Sequence, residues 1–388
     1  MINLANRMER LGTETAFEVL AKAKKLEEKG RNIIHLQIGE PDFNTPSNII
    51  DAGKNALDNG YTNYNPSGGY NELKEEIKNY SKNIRSLEFD NDQVIITSGG
   101  KPIMFYTILA LINPGDEVLY PNPGFPIYES MINFVGGKAI PLKLEEDLGY
   151  KFDIEKLESL ISSKTKLIIL NSPNNPCGSV INSKEMSRIA NILEDKDITV
   201  LSDEIYSQFL YEGSHASISN HKKISDKTII LDGFSKSYSM TGWRIGYGIF
   251  PKELIEPITK LITNSNSCTA SFTQIAAIEA LKGSQESVSE MVSEFKVRRN
   301  LIVDGLNNIK NINCPNPSGA FYVFPNITNT GISSQEFANR LLEENGVATV
   351  AGESFGKEGS GYIRLSFANS KDNIAEGLNR IESFVNKL

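Results

Sequence analysis

The chain has 388 residues, more than one ordinary hydrophobic core holds, which points to two lobes or one large α/β domain with an appendage. Apolar residues make up 39% and charged residues 23%, ordinary values for a soluble globular protein. The net charge of −8 comes from interspersed charges of both signs, which excludes a basic nucleic-acid footprint and a polybasic membrane patch.

There is no N-terminal apolar region and no run long enough to cross a bilayer. Cys177, Cys268 and Cys314 are odd in number and widely spaced, so no disulfide framework is expected, and a cytoplasmic, reducing setting is. His35, His215 and His221 lie near no other ligand type at metal spacing, so no metal is expected either. The sequon at Asn326 has no signal peptide to give it meaning.

In chain order, TAFEVLAKAKKLEEKG (15–30) patterns as an amphipathic helix closed by Gly30. Short apolar runs then alternate with helix-like stretches: QVIITSG (93–99), DEVLYP (116–121), GKAIPL (137–142), TKLIILNSP (165–173), DITVLSDEI (197–205) and TIILDGF (228–234). Several lack polar alternation, as strands buried on both faces do. Candidate helices between them include 102–112 and 183–196. This repetition predicts an α/β class: a mostly parallel central sheet with helices on both faces. The last hundred residues read differently, with a long helix over about 284–309, short strands around 319–325 and 362–367, and a closing helix. The expected organisation is an N-terminal arm and part of a small domain over 1–45, a large domain over 46–285, and a small α+β domain over 286–388 that the two termini build together.

Parallel sheets gather ligand groups at the carboxyl ends of their strands. After KLIIL comes Asn171-Ser-Pro-Asn-Asn175-Pro-Cys-Gly; after ITVLS come Asp203 and Tyr206; after IILDGF come Ser235 and Lys236. After VIIT come Ser98, Gly99, Gly100 and Lys101, immediately before a helix. Each has a plain alternative: a turn, a helix cap, a solvated lysine. Together they fit one chemistry. A buried amine with a lowered pKa is a carbonyl-attacking nucleophile, a carboxylate opposite it suits a protonated pyridine nitrogen, and a helix start beside an arginine suits a phosphate. Those three requirements specify pyridoxal 5′-phosphate.

The chain resembles the class I/II aminotransferases of the pyridoxal-phosphate fold type I superfamily, in the bacterial aspartate-aminotransferase-like branch. The motifs that carry this run nearly end to end: IGEPDF (38–43), NYNPSGG (63–69), NSPNNPCG (171–178), SDEIY (202–206), SKSYSMTGWRIGY (235–247) and YIRLSF (362–367). The resemblance implies a ping-pong transfer of an amino group between an L-α-amino acid and an α-keto acid. It implies that Lys236 forms the internal aldimine and shuttles the Cα proton, and that Asp203 pairs with the ring nitrogen. Asn175 and Tyr206 would hydrogen-bond the phenolic oxygen, Phe125 would stack on the ring, and Gly99, Gly100, Lys101, Ser235 and Arg244 would surround the phosphate. Tyr64 matches a tyrosine that reaches the neighbouring subunit's phosphate, so a homodimer with shared active sites is implied. Arg364 would grip the substrate α-carboxylate, assisted by the backbone of Gly39 and by Asn175.

Three departures stand out. Gly233 lies where many relatives have a serine, and Cys177 where threonine is common. Lys101 is of the type that contacts the second carboxylate in the similar aspartate-using branch. Glu14, however, lies near that distal pocket, where it would repel a dicarboxylate or neutralise Lys101 and favour a polar or cationic side chain; the reading favoured here is a helix-start acid behind a Thr13 cap. The same framework also serves lyases and amino-acid oxidases, which the motifs leave open. A sensor role in a transcription regulator is not expected, because the match begins near residue 15.

Overall fold

The structure is a computed structural model describing residues 2–388. Seven strands form its central sheet: β1 (Val94–Thr97), β2 (Glu117–Asn122), β3 (Lys138–Lys143), β4 (Thr165–Asn171), β5 (Thr199–Asp203), β6 (Thr228–Gly233) and β7 (Gly246–Ile249). Their spatial order is β1-β7-β6-β5-β4-β2-β3. Strand β7 runs antiparallel to both neighbours, and the four other pairings are parallel.

Both faces of the sheet are covered, and alternate residues serve different cores. Ile95, Ile229 and Leu231 pack in one cluster with Ile103 and Met104, while Val94, Ile96 and Ile230 pack in another with Leu73 and Ile77. Strands β1 and β3 are the edges, and β3 is the open one. It is the most exposed of the seven and carries Pro141, which an edge tolerates because it needs no ladder donor there.

Six of the strands fall where the apolar runs place them. The seventh was not foreseen. Its residues, Gly-Tyr-Gly-Ile, have weak strand propensity, because glycine offers no side chain to pack. The glycines are there for close approach. A Cβ at Gly246 would lie 2.7 Å from the Gly100 nitrogen and from the Gly99 carbonyl carbon. At Gly233 it would lie 3.0 Å from the Gly246 Cα. The lysine-bearing turn after β6 and the Gly99-Gly100 turn after β1 thus press against the same strand.

Chain segments from both ends share one further core. Ile34–His35 pairs in parallel with Val347–Ala348, and Val350–Ala351, Ile363–Ser366 and Tyr322–Val323 form a three-stranded antiparallel sheet. Helices Glu286–Asn307 and Lys371–Val385 cover them, so that Ile34 and Leu36 pack in one cluster with Phe295, Ile302, Ile374 and Phe384. The amphipathic N-terminal helix runs over Thr15–Glu27, and Gly30 follows at a φ of 83° that favours glycine.

Replacing Gly246 by alanine is expected to destabilise the protein by about 1–3 kcal/mol, because the new methyl meets backbone that cannot rotate away. Gly242, with open space at its Cβ position, is the control: Gly242→Ala should stay within about 0.5 kcal/mol. Urea midpoints of the two variants decide it.

Candidate active site

The carboxyl ends of β4, β5 and β6 open onto one cavity of about 500 Å³, whose walls include Gly39, Gly100, Lys101, Phe125, Asn175, Asp203, Tyr206, Ser235, Lys236, Arg244 and Arg364. Two of the sequence-derived site residues do not line it. Gly99 sits just behind, where a Cβ would lie within 2.4 Å of an Arg244 nitrogen. Tyr64 is 88% exposed on the surface.

Lys236 follows β6 on a turn, and its Nζ donates to the Gly39 carbonyl at 2.6 Å. Burial lowers the ammonium from its ordinary 10.5 to about 8; Glu40 and Glu14 oppose the shift, while Arg364 and Lys101 assist it. Asp203 ends β5. Its Oδ2 accepts the Tyr128 hydroxyl at 2.5 Å, and its Oδ1 accepts the Ile205 N–H at 3.2 Å. Burial raises the carboxyl from 3.8 to about 6, against the pull of those two hydrogen bonds. One cause acts on both groups and moves their pKa values toward each other.

The two arginines have no acid partner among the described residues. Arg244, at a φ of 54°, donates from Nη1 to the Thr241 carbonyl at 2.8 Å and from Nη2 to the Ser98 carbonyl at 3.3 Å. Its guanidinium lies beside the start of helix Lys101–Leu111, capped by Gly100. That corner suits a phosphate. Arg364 is buried on the strand Ile363–Ser366. It donates from Nη1 to the Asn175 Oδ1 at 3.0 Å and from Nη2 to the Gln37 carbonyl, and its Nε has no partner. The rings of Tyr322 and Phe355 lie 4.5 and 4.8 Å from its central carbon. Burial lowers its pKa from the ordinary value, yet a guanidinium stays charged. A buried, incompletely bonded cation opening on a cavity suits a carboxylate.

Two contributors escaped the sequence reading. Tyr128 lies one helical turn beyond Phe125, in the YPNPGFPIY stretch, and its ring meets Phe125 edge-on at 5.6 Å between centroids. Tyr322, inside the run GAFYVFP, shares a 2.7 Å hydrogen bond with Tyr206 and would collide with any Cβ at Gly39. An aromatic in a helix or a strand is ordinary packing, so neither carried a signal. Glu14 differs from the favoured reading. It occupies the helix N-cap position itself, makes no capping hydrogen bond, and its carboxylate meets Lys101 Nζ instead. Trp243 packs beside Gly53 and donates to Thr45 Oγ1 at 3.0 Å.

A family model for aminotransferase class I and II matches residues 31–381. The chain belongs to this family. It is 43% identical over 90% of its length to a probable aspartate aminotransferase of Methanocaldococcus jannaschii, of which it covers 92%. It is 41% identical over 99% of its length to that organism's (5-formylfuran-3-yl)methyl phosphate transaminase, covering all of it. The crystal structure of the aspartate aminotransferase from Rhizobium meliloti superposes with a TM-score of 0.96 at 31% identity, each chain covered in full. The protein is an aminotransferase, a transferase of amino groups with the fold type I architecture. The lyase and oxidase readings that the motifs left open give way to this one. No helix among the described residues is long and apolar enough to cross a membrane.

The elevated Asp203 pKa has a consequence for the cofactor-free aminotransferase. The native state holds this proton to about pH 6, whereas the unfolded chain releases it near 3.8. Native stability is therefore expected to fall as pH rises through that window, by about 1–3 kcal/mol. In Asp203→Asn that component should vanish, which is read as the difference in urea midpoints between the two proteins from pH 4 to pH 7.

Proposed function

We propose that the protein binds pyridoxal 5′-phosphate at Lys236 and uses it to exchange amino groups between L-α-amino acids and α-keto acids. The observation that carries this reading is the convergence of Lys236, Asp203 and two arginines without acid partners on one cavity. When bound, the cofactor supplies an aldehyde that takes up amines and a pyridine ring that accepts the electron pair left at the substrate Cα.

The chain's own residues supply the rest. Lys236, whose ammonium burial lowers to about 8, would hold the cofactor through its amine and would take and return the Cα proton. Asp203 would hold a proton on the ring nitrogen, its carboxylate oriented by the Tyr128 hydroxyl. Phe125 gives the ring a flat apolar wall. Arg244 and the Gly99-Gly100 helix start hold the phosphate, with Ser235 supplying the hydroxyl that Gly233 lacks. Arg364 takes the substrate α-carboxylate, and Asn175, already bonded to it, fixes the fork's orientation. Tyr206, bonded to Tyr322, would hydrogen-bond the ring's phenolic oxygen.

We further infer a homodimer, in which Tyr64 completes the partner's phosphate site. Its exposure, with that of Ile2 at 92% and Leu4 at 72%, supports the reading. The core in which Ile34 and Leu36 pack with the C-terminal elements supports a division into residues 1–45, 46–285 and 286–388. Free thiols at Cys177, Cys268 and Cys314 accord with a reducing cytoplasm.

Two experiments test this. Borohydride reduction of protein incubated with pyridoxal 5′-phosphate should leave a modified peptide at Lys236, with the rate of uptake rising with pH through about 8. Lys236→Ala should yield no such peptide, and modification spread over other lysines would refute the assignment. Arg364→Gln should raise KM for amino acids by roughly a hundredfold or more, the worth of a desolvated bidentate ion pair, with a smaller change in kcat. Steady-state kinetics decide it.

A further inference from the structure

Four cationic side chains line the cavity, Lys101, Lys236, Arg244 and Arg364, and three acids face them, Glu14, Glu40 and Asp203. Their pairing divides them. Arg244 and Arg364 donate to carbonyls and an amide oxygen, and Lys236 donates to a backbone carbonyl. Lys101 alone is taken by a carboxylate, that of Glu14.

The argument rests on the reading above, in which Arg244 takes the cofactor phosphate and Arg364 the substrate α-carboxylate. An amino acid with a side-chain carboxylate brings a third anion. The remaining ammonium for it is Lys101, and Glu14 already occupies that charge. The Glu14 side chain is only 17% exposed, against 49% for Lys101, so the acid is the more deeply seated partner. An incoming carboxylate would have to displace Glu14 and then lie beside it, two like charges in a partly desolvated cleft. The walls point the same way. With Phe125 given to the cofactor ring, the face left beside Lys101 is Phe17, which is 57% exposed on the helix that Glu14 opens and whose ring lies 5.8 Å from Lys101 Nζ. Flat apolar faces at the mouth of a pocket favour an apolar or aromatic side chain.

We propose that Glu14 is a specificity-determining residue: by neutralising Lys101 it turns the pocket toward amino acids with uncharged, apolar or aromatic side chains and away from those with a second carboxylate.

Binding and reaction are measured separately. For binding, the holoenzyme is titrated calorimetrically with 3-phenylpropanoate and with succinate, which share the carboxylate that Arg364 grips and carry no reacting amine. The wild-type protein should bind 3-phenylpropanoate the more tightly. In Glu14→Gln the ratio of the two affinities should move toward succinate by about tenfold to a hundredfold, the worth of one charge-assisted contact. Adding Lys101→Gln to that variant should abolish the gain. For reaction, single-turnover absorbance changes with phenylalanine, aspartate and glutamate should follow the same order. Lys101→Gln alone leaves the Glu14 charge unopposed and should move the ratio further from succinate, which keeps the test open should Glu14→Gln fail to fold. A wild-type preference for succinate and aspartate, or a ratio that neither variant moves, overturns the proposal. Failure of every amino acid to react would instead strike at the cofactor chemistry on which it rests.

Discussion

The site depends on β5 and β6 ending level with one another, and a buried cluster of charge holds them there. Arg85, at the end of helix Asn71–Arg85, is wholly buried; its Nε donates to Glu204 at 2.6 Å and its Nη2 to Asp232. Glu204 directly follows Asp203, and Asp232 lies in the last turn of chain before Lys236. The Glu204 carboxylate is bonded on every side, by Ser202 at 2.9 Å, Ser217 at 2.5 Å and His215 at 2.7 Å, and Asp232 also accepts the Tyr247 hydroxyl at 3.0 Å. Removing one member of such a cluster leaves an uncompensated charge and costs about 3–5 kcal/mol. The register that sets Asp203 against Leu231 is therefore held by charge as well as by the ladder, and the carboxylate and the amine cannot drift apart.

Burial then sets the chemistry of the two groups so held. Desolvation favours the neutral form of each, which lifts the Asp203 carboxyl to about 6 and drops the Lys236 ammonium to about 8. Neither group finds a protein counter-charge in direct contact. The carboxyl has a hydroxyl and an N–H, and the amine has a carbonyl. The same low-dielectric surroundings leave Arg364 with a bare Nε. Each of these arrangements is unfavourable in the protein alone and favourable once an opposite charge arrives, which is how a site stores selectivity for a ligand of defined charge pattern.

Much of this was readable in the chain. Apolar runs followed by Asn171, Asp203 and Ser235-Lys236 marked β4, β5 and β6, because a strand buried on both faces admits few polar residues before its end. Arg244 and Arg364 stood out as charges in apolar company. Strand β7 was missed because its glycines, needed where Gly246 presses on Gly99 and Gly100, erase the hydrophobic signal by which strands are recognised. Tyr128 and Tyr322 were missed because an aromatic has the same pattern whether its hydroxyl is idle or bonded to Asp203 or Tyr206. For Glu14 the helix-start reading was preferred over neutralisation of Lys101, since local spacing cannot decide a pairing across 87 positions of chain.

What the sequence determined by itself was the alternation of strands and helices, and with it the edge of the sheet to which the amine, the carboxylate and the amide were delivered. Those are local facts, set by which residues can be buried and where a strand must stop. The tertiary structure decided the pairings: which charges are met by protein groups and which are left for a ligand. Arg244 and Arg364 stay without acids, Lys101 does not, and that difference arises only where distant segments close on one cavity, because electrostatic energy follows distance in space and is blind to distance along the chain.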